Sequence, residues 1–295
     1  MDALDATLAF DARADLLEGP IWDARRQCLY FVDIMAGRVH CFDPASKTRR
    51  THDLGETIGS VGAVALSERD ELILAARDGF VRLDASAGVR STIAAVEADR
   101  PRNRMNDGTC DAAGRFWAGT MSLDETPGAG ALYCLDPTGD VRVMVVGATI
   151  SNGIDWSDDA RTMYYVDSPT RQIDVFDFDL AAGTISNRRP FVRIPDEHGI
   201  PDGLTLDAEG YVWVALWRGS AVHRYAPNGT LAAVVRVPTS CPTACAFGGP
   251  DLRDLFITTA AIELTDRERA EQPLAGGLFV CRPGAAGRAP NRFAG

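Results

Sequence analysis

The sequence predicts an all-β fold: a six-bladed β-propeller with a central metal-binding channel. Three observations carry this. Helix-period patterns are scarce, and short runs rich in Val, Tyr, Phe and Trp alternate with Gly, Asp, Pro and Ser along all 295 residues. Six segments repeat one pattern at a period near 45 residues, the spacing of a four-stranded blade. A polar, oxygen-bearing side chain also recurs at one phase of that repeat.

The elements follow in chain order. Residues 5–12, DATLAFDA, read as a strand ahead of the first repeat and are expected to pair with the last blade near GGLFVCR, so that residues 1–295 form a single propeller domain. The repeats are PIWDARRQCLYFVDIMAGRVHCFDP at 20–44, VALSERDELILAARDGFVRLD at 64–84, and GTCDAAGRFWAGT from 108 completed by GALYCLDPTG at 130–139. They continue with GIDWSDDARTMYYVDSPTRQIDVFDFD at 153–179, GLTLDAEGYVWVALWRGSAVHRYAPNG at 203–229, and CAFGGPDLRDLFITTA from 245 completed by GGLFVCRPG at 276–284. Each begins with a short apolar strand and a turn containing Asp or Ser. An aromatic and β-branched strand follows, then a third strand ending near Asp or Pro. The residues before the first turn are Trp22, Leu66, Cys110, Trp156, Leu206 and Phe247, spaced by 44, 44, 46, 50 and 41. Such regular spacing disfavours a β-sandwich or two barrels. A lone four-stranded sheet cannot cover its own apolar faces, whereas blades packed around an axis bury both.

Composition narrows the function. Hydrophobic residues make up 46% and charged residues 24%, an ordinary globular balance, and the net charge is −11. Basic residues are scattered, with RPRNR at 100–104 the densest cluster, which argues against nucleic-acid binding. No leader-like or membrane-length apolar run is present, so a mature, soluble, cytoplasmic chain without membrane contact is expected. The seven cysteines form no CxxC pair and read as small buried residues rather than a disulfide framework. Neither a heptad nor a large apolar patch is evident, which favours a monomer.

Stepping back four residues from each phase marker gives Glu18, Gly62, Asn106, Asn152, Asp202 and Thr243. Innermost strands line a propeller channel, so these residues converge on one mouth. Each of the contexts LLEGPIW, RMNDGTC, SNGIDW and IPDGLTL has Gly one or two residues after the polar group, suited to close approach at the axis. One Asn-Gly alone would read as a turn; four in register read as a shared site. Converging oxygens with two negative charges need a cation. Glu, Asp and Asn are hard donors that suit Ca²⁺, Mg²⁺ or Mn²⁺, with Zn²⁺ or Fe²⁺ fitting an open site. His40, His52, His198 and His223 do not share the phase, which disfavours a histidine-rich zinc site.

EGPIWD, RMNDGTCDAAGRFWAGTM, SNGIDWS, IPDGLTLDAEGYVWVALW, CAFGG and QPLAGGLF resemble the regucalcin (senescence marker protein) and gluconolactonase family over nearly the whole chain. The resemblance implies one divalent metal in the channel, Ca²⁺ foremost, and hydrolysis of a small-molecule sugar lactone to its aldonic acid. The glucono-, galactono-, xylono- and arabinonolactones are the candidate substrates. It places the metal ligands on Glu18, Asn152 and Asp202 and the substrate contacts on Arg104 and Asn106, with Asn106 also close enough to act as a water-mediated ligand. A further substrate contact falls on Asp124 in MSLDE, with loop length able to shift it to Glu125.

Asp202 is the expected general base, with a pure ligand role as the alternative. No GxSxG nucleophile motif is present, so Ser151 reads as a solvated or strand-start serine. Trp117, Trp213 and Tyr165 read as blade packing, while Trp217, following its strand, is a candidate for the mouth. Two other readings stay open: an esterase or organophosphate hydrolase on the same site, and a non-catalytic calcium-binding propeller.

Overall fold

The second strand of each repeat is the most apolar stretch of its unit. In the computed structural model it lies inside a sheet with both faces covered, which is why LILAA and FWAGTMS carry no alternation. The structure describes residues 3–55 and 59–295. Six sheets, antiparallel apart from one added parallel strand, are arranged as the blades of a six-bladed β-propeller. Blade 1 comprises Leu17–Asp23, Cys28–Asp33, Arg38–Asp43 and Thr48–Asp53. The innermost strands of blades 2 to 6 are Val61–Leu66, Asn103–Cys110, Ser151–Trp156, Ile200–Leu206 and Pro242–Gly248. Burial falls from the axis outward: Val61–Leu66 is wholly buried, whereas most of the outer strand Thr48–Asp53 is exposed.

Six buried apolar clusters fill the six gaps between neighbouring blades. Between blades 3 and 4, Trp117 packs edge-on against Trp156 and Phe178 at 5.7 and 5.8 Å. The Asp turn of the repeat has a definite task here. One Asp111 oxygen accepts the backbone N–H groups of Ala113 and Arg115, and the other accepts Trp117 Nε1–H at 2.9 Å. Asp207 does the same for Glu209, Tyr211 and Trp213. DAAGRFW and DAEGYVW thus lock a turn and a core tryptophan with one carboxylate. Trp117→Ala should cost about 3–5 kcal/mol of unfolding free energy, measurable by urea denaturation.

The chain ends cross between blades. Thr7–Phe10 pairs antiparallel with Leu278–Cys281 as the outer strand of blade 6. Ala3–Asp5 pairs in parallel with Leu231–Arg236 as a fifth strand of blade 5, an arrangement no sequence pattern announced. Residues 285–295 then run across the end of the ring where the innermost strands finish. This tail bonds Ala208, Leu252, Trp156, Cys110 and Leu66, while Arg292 pairs with Asp23, so it touches all six blades. A short helix, Asp266–Glu271, carries a capping box between Thr265 and Glu268. All seven cysteines are free thiols, five of them buried. Among the described residues no helix is long and apolar enough to cross a membrane.

Candidate active site

Every innermost strand breaks its pairing register at or beside its phased residue. The steps fall between Glu18 and Ile21, Val61 and Ala63, Met105 and Gly108, Ser151 and Ile154, Pro201 and Leu204, and Pro242 and Ala244. A bulge sets two residues against one on the neighbouring strand and re-aims a side chain. Here it turns polar residues away from the blade interfaces and toward the axis. The glycines make this possible by close contact: a Cβ on Gly153 would sit 2.7 Å from the Asp202 carbonyl oxygen, and one on Gly203 would sit 2.5 Å from Ala244 Cβ.

The bulges gather Glu18, Asn106, Asn152 and Asp202 with Arg104 and Ser168 at one mouth, in a cavity of about 310 Å³. These side chains are buried. A directional relay orders the neutral ones. Arg104 Nη1 donates to Asn106 Oδ1 at 2.6 Å, and Asn106 Nδ2 donates to Asn152 Oδ1 at 2.7 Å. Asn152 Nδ2 donates to Ser168 Oγ at 2.8 Å, and Ser168 donates to the Pro201 carbonyl at 2.7 Å. Because Arg104 can only donate, the whole chain has one sense, and Asn152 turns its oxygen rather than its NH₂ toward Asn106.

The carboxylates are less satisfied. Glu18 Oε2 accepts the Gly19 N–H at 2.8 Å, whereas Asp202 Oδ1 is buried and has no hydrogen-bond partner. Burial pushes the Glu18 carboxyl well up, and the charges of Asp202 and Asp107 push it further. Burial and then Asp107 do the same to Asp202. Burial also pulls the Arg104 guanidinium down to about 10, against the attraction of Glu18, Asp202 and Glu125. Two buried acids that resist ionisation, one with a free oxygen, together with oriented carboxamide oxygens, fit a hard divalent cation. Among the described residues no group of three or more His, Cys, Asp or Glu side chains is placed to hold a metal. The set at this mouth has another composition, two carboxylates and two carboxamides.

Two phased positions contribute nothing ionic. Gly62 has no side chain, and Thr243 Oγ1 donates to the Leu17 carbonyl at 2.6 Å. Asp124 does not reach the cavity: it forms an exposed ion pair with Arg102, and Glu125, one residue on, lines the cavity instead. The turn after Phe116–Ser122 is the cause. Glu125 adopts φ +51°, and the chain folds back there with its N–H bonded to the Ser122 carbonyl. Ser151 is a strand-start serine, the first residue of Ser151–Trp156, but it is buried rather than solvated and accepts the Tyr165 hydroxyl at 2.8 Å. Trp217 lines the mouth.

Two residues escaped the sequence reading. Ser168 ends the relay from beyond the second strand of blade 4, outside the phase that flagged the others. Asp107 follows Asn106 in the same bulge but faces a second cavity of about 260 Å³ toward the tail, where burial raises its carboxyl to about 6. The acid directly after a phased residue was its only signal.

Comparison with known proteins gives the family and the fold. The family described as SMP-30/Gluconolactonase/LRE-like region matches residues 16–261. YvrE of Bacillus subtilis (strain 168), named as a sugar lactone lactonase, is 39% identical over 293 residues, 99% of each chain. Regucalcin of Xenopus laevis is 38% identical over 285 residues, 94% of each chain. The crystal structure of a calcium-binding protein, regucalcin, from Agrobacterium tumefaciens strain C58 superposes with a TM-score of 0.93 at 29% identity, over 99% of both chains. A family match across all six blades, with relatives of this identity along nearly the full length, means that the chain belongs to the SMP-30/gluconolactonase/LRE-like family.

Proposed function

We propose that the chain is a divalent-cation-dependent lactonase that opens an aldonolactone to its aldonic acid. The observation that carries this is the buried, unpartnered Asp202 oxygen, set among Glu18, Asn152 and Asn106 and beside Arg104. The family description and the name of the Bacillus subtilis relative support the reaction class.

Glu18, Asn152 and Asp202 would hold the cation, and their oxygen donors favour Ca²⁺ over softer ions. When bound, it supplies Lewis acidity toward the lactone carbonyl. Asp202, with one oxygen uncommitted, takes the proton from the attacking water. Arg104, charged at neutral pH and fixed by Asn106, offsets negative charge developing on the ester oxygens. Asn106 links the arginine to Asn152, so substrate orientation and the donor set are coupled through one amide. Glu125 replaces Asp124 as the acidic contact for substrate hydroxyls.

An initial-rate panel tests the reaction class. Glucono-, galactono-, xylono- and arabinonolactone, each with Ca²⁺, Mg²⁺, Mn²⁺, Zn²⁺ or Fe²⁺, are compared with a phosphotriester by proton release. The lactones should be turned over above the spontaneous rate and the phosphotriester left untouched. Turnover of the phosphotriester alone would point to the organophosphate reading.

A further inference from the structure

The walls of the mouth differ from its floor. Of the 17 described lining residues, nine are apolar, among them Met35, Leu123, Ile150, Ile200, Trp217 and Ile262. Above the polar floor only Glu125, Glu263 and the indole N–H of Trp217 offer hydrogen-bonding groups among the described lining residues. Three of the apolar groups stand where second strands end in alternate blades. Met35 follows Cys28–Asp33 of blade 1, Leu123 follows Phe116–Ser122 of blade 3, and Trp217 closes Val212–Trp217 of blade 5. They form an apolar triangle around the entrance.

Exposure marks the same place. Met35 is 46% and Leu123 40% exposed; among the described residues the other exposed large apolar side chains, Val89, Val143 and Val146, lie on outer blade strands. Apolar side chains held open at a cavity entrance gain free energy when a ligand covers them. Charge adds a second constraint. Glu18, Glu125, Asp202 and Glu263 outnumber Arg104 in the lining, so the site remains negative even with one divalent cation and disfavours anionic ligands.

We infer that this mouth also accepts neutral lactones bearing a single alkyl arm, with the ester on the polar floor and the arm against Met35, Leu123 and Trp217. The inference rests on the lactonase reading and extends its substrate class. Hydroxyls along such an arm would lose water against an apolar wall with few partners, whereas methylenes would not.

The test is a homologous series of δ-lactones with 5-alkyl arms, from unsubstituted δ-valerolactone to δ-decalactone, on the Ca²⁺-loaded protein, with δ-gluconolactone as control. Each added methylene should raise kcat/KM about two- to threefold, less than full transfer from water would allow. The gain should appear mainly as a falling KM. Leu123→Asn and Trp217→Ala should each flatten the series. A flat or falling wild-type series alongside turnover of δ-gluconolactone would overturn the inference and leave the lactonase reading intact. An equally steep series in both variants would also overturn it. Failure of every lactone, δ-gluconolactone included, would overturn both.

Discussion

Asp202→Asn should lower lactone hydrolysis at least about 10³-fold while leaving the fold intact, because it removes a proton acceptor and a charged donor at once. The side chain makes no hydrogen bond through Oδ1, so the packing asks little of it. In the cation-free protein the substitution should even stabilise the chain. It removes a buried carboxylate on which burial and repulsion from Asp107 outweigh the attraction of Arg104. A residue retained for structure would show the opposite sign. Circular dichroism and urea denaturation, run beside the proton-release assay on the same preparations, separate the two. Retained activity in Asp202→Asn would remove it from the general-base role.

Cation binding should raise stability more at pH 8 than at pH 5. The sign follows from the two carboxyls. Burial lifts Glu18 and Asp202 well above their ordinary values, with Asp202 and Asp107 adding to the rise at Glu18 and Asp107 to that at Asp202, so the folded, cation-free chain holds protons that the unfolded chain has released. Its stability therefore rises as pH falls through those raised values, and the full cost of two buried charges is present above them. A divalent cation removes that cost where it is largest, and it must displace protons to do so at lower pH. At 100 times the dissociation constant the gain is about 2.7 kcal/mol, several degrees in Tm. Thermal melts with and without Ca²⁺ at the two pH values measure the difference. An equal shift at both would mean that the ion binds elsewhere.

Much of the fold was legible because its physics is local and repeated. Each blade needs an apolar second strand and a turn before it, and DAAGRFW and DAEGYVW print both on the sequence. The phase of Glu18, Asn106, Asn152 and Asp202 was legible for the same reason: one bulge per blade, at or beside the residue four before the first turn, brings them to one mouth. What lay hidden depends on contacts between distant segments. Nothing in ALD at residues 3–5 marks a fifth strand for blade 5, and nothing in the tail after 284 marks a strap across six blades. Ser168 enters the relay through the geometry of a second strand's end, off the repeat's phase. Asp124 and Glu125 differ by one residue, and a left-handed turn residue that no pattern flags decides which faces the cavity.

The most direct measurement is the initial rate of proton release from δ-gluconolactone by protein stripped of metal, with removal verified by elemental analysis, before and after addition of one equivalent of Ca²⁺. The rate should fall to the spontaneous background on stripping and return on addition, with Glu18→Gln failing to recover at the same ion concentration. Full activity in the stripped protein would contradict a cation-dependent centre at Glu18, Asn152 and Asp202.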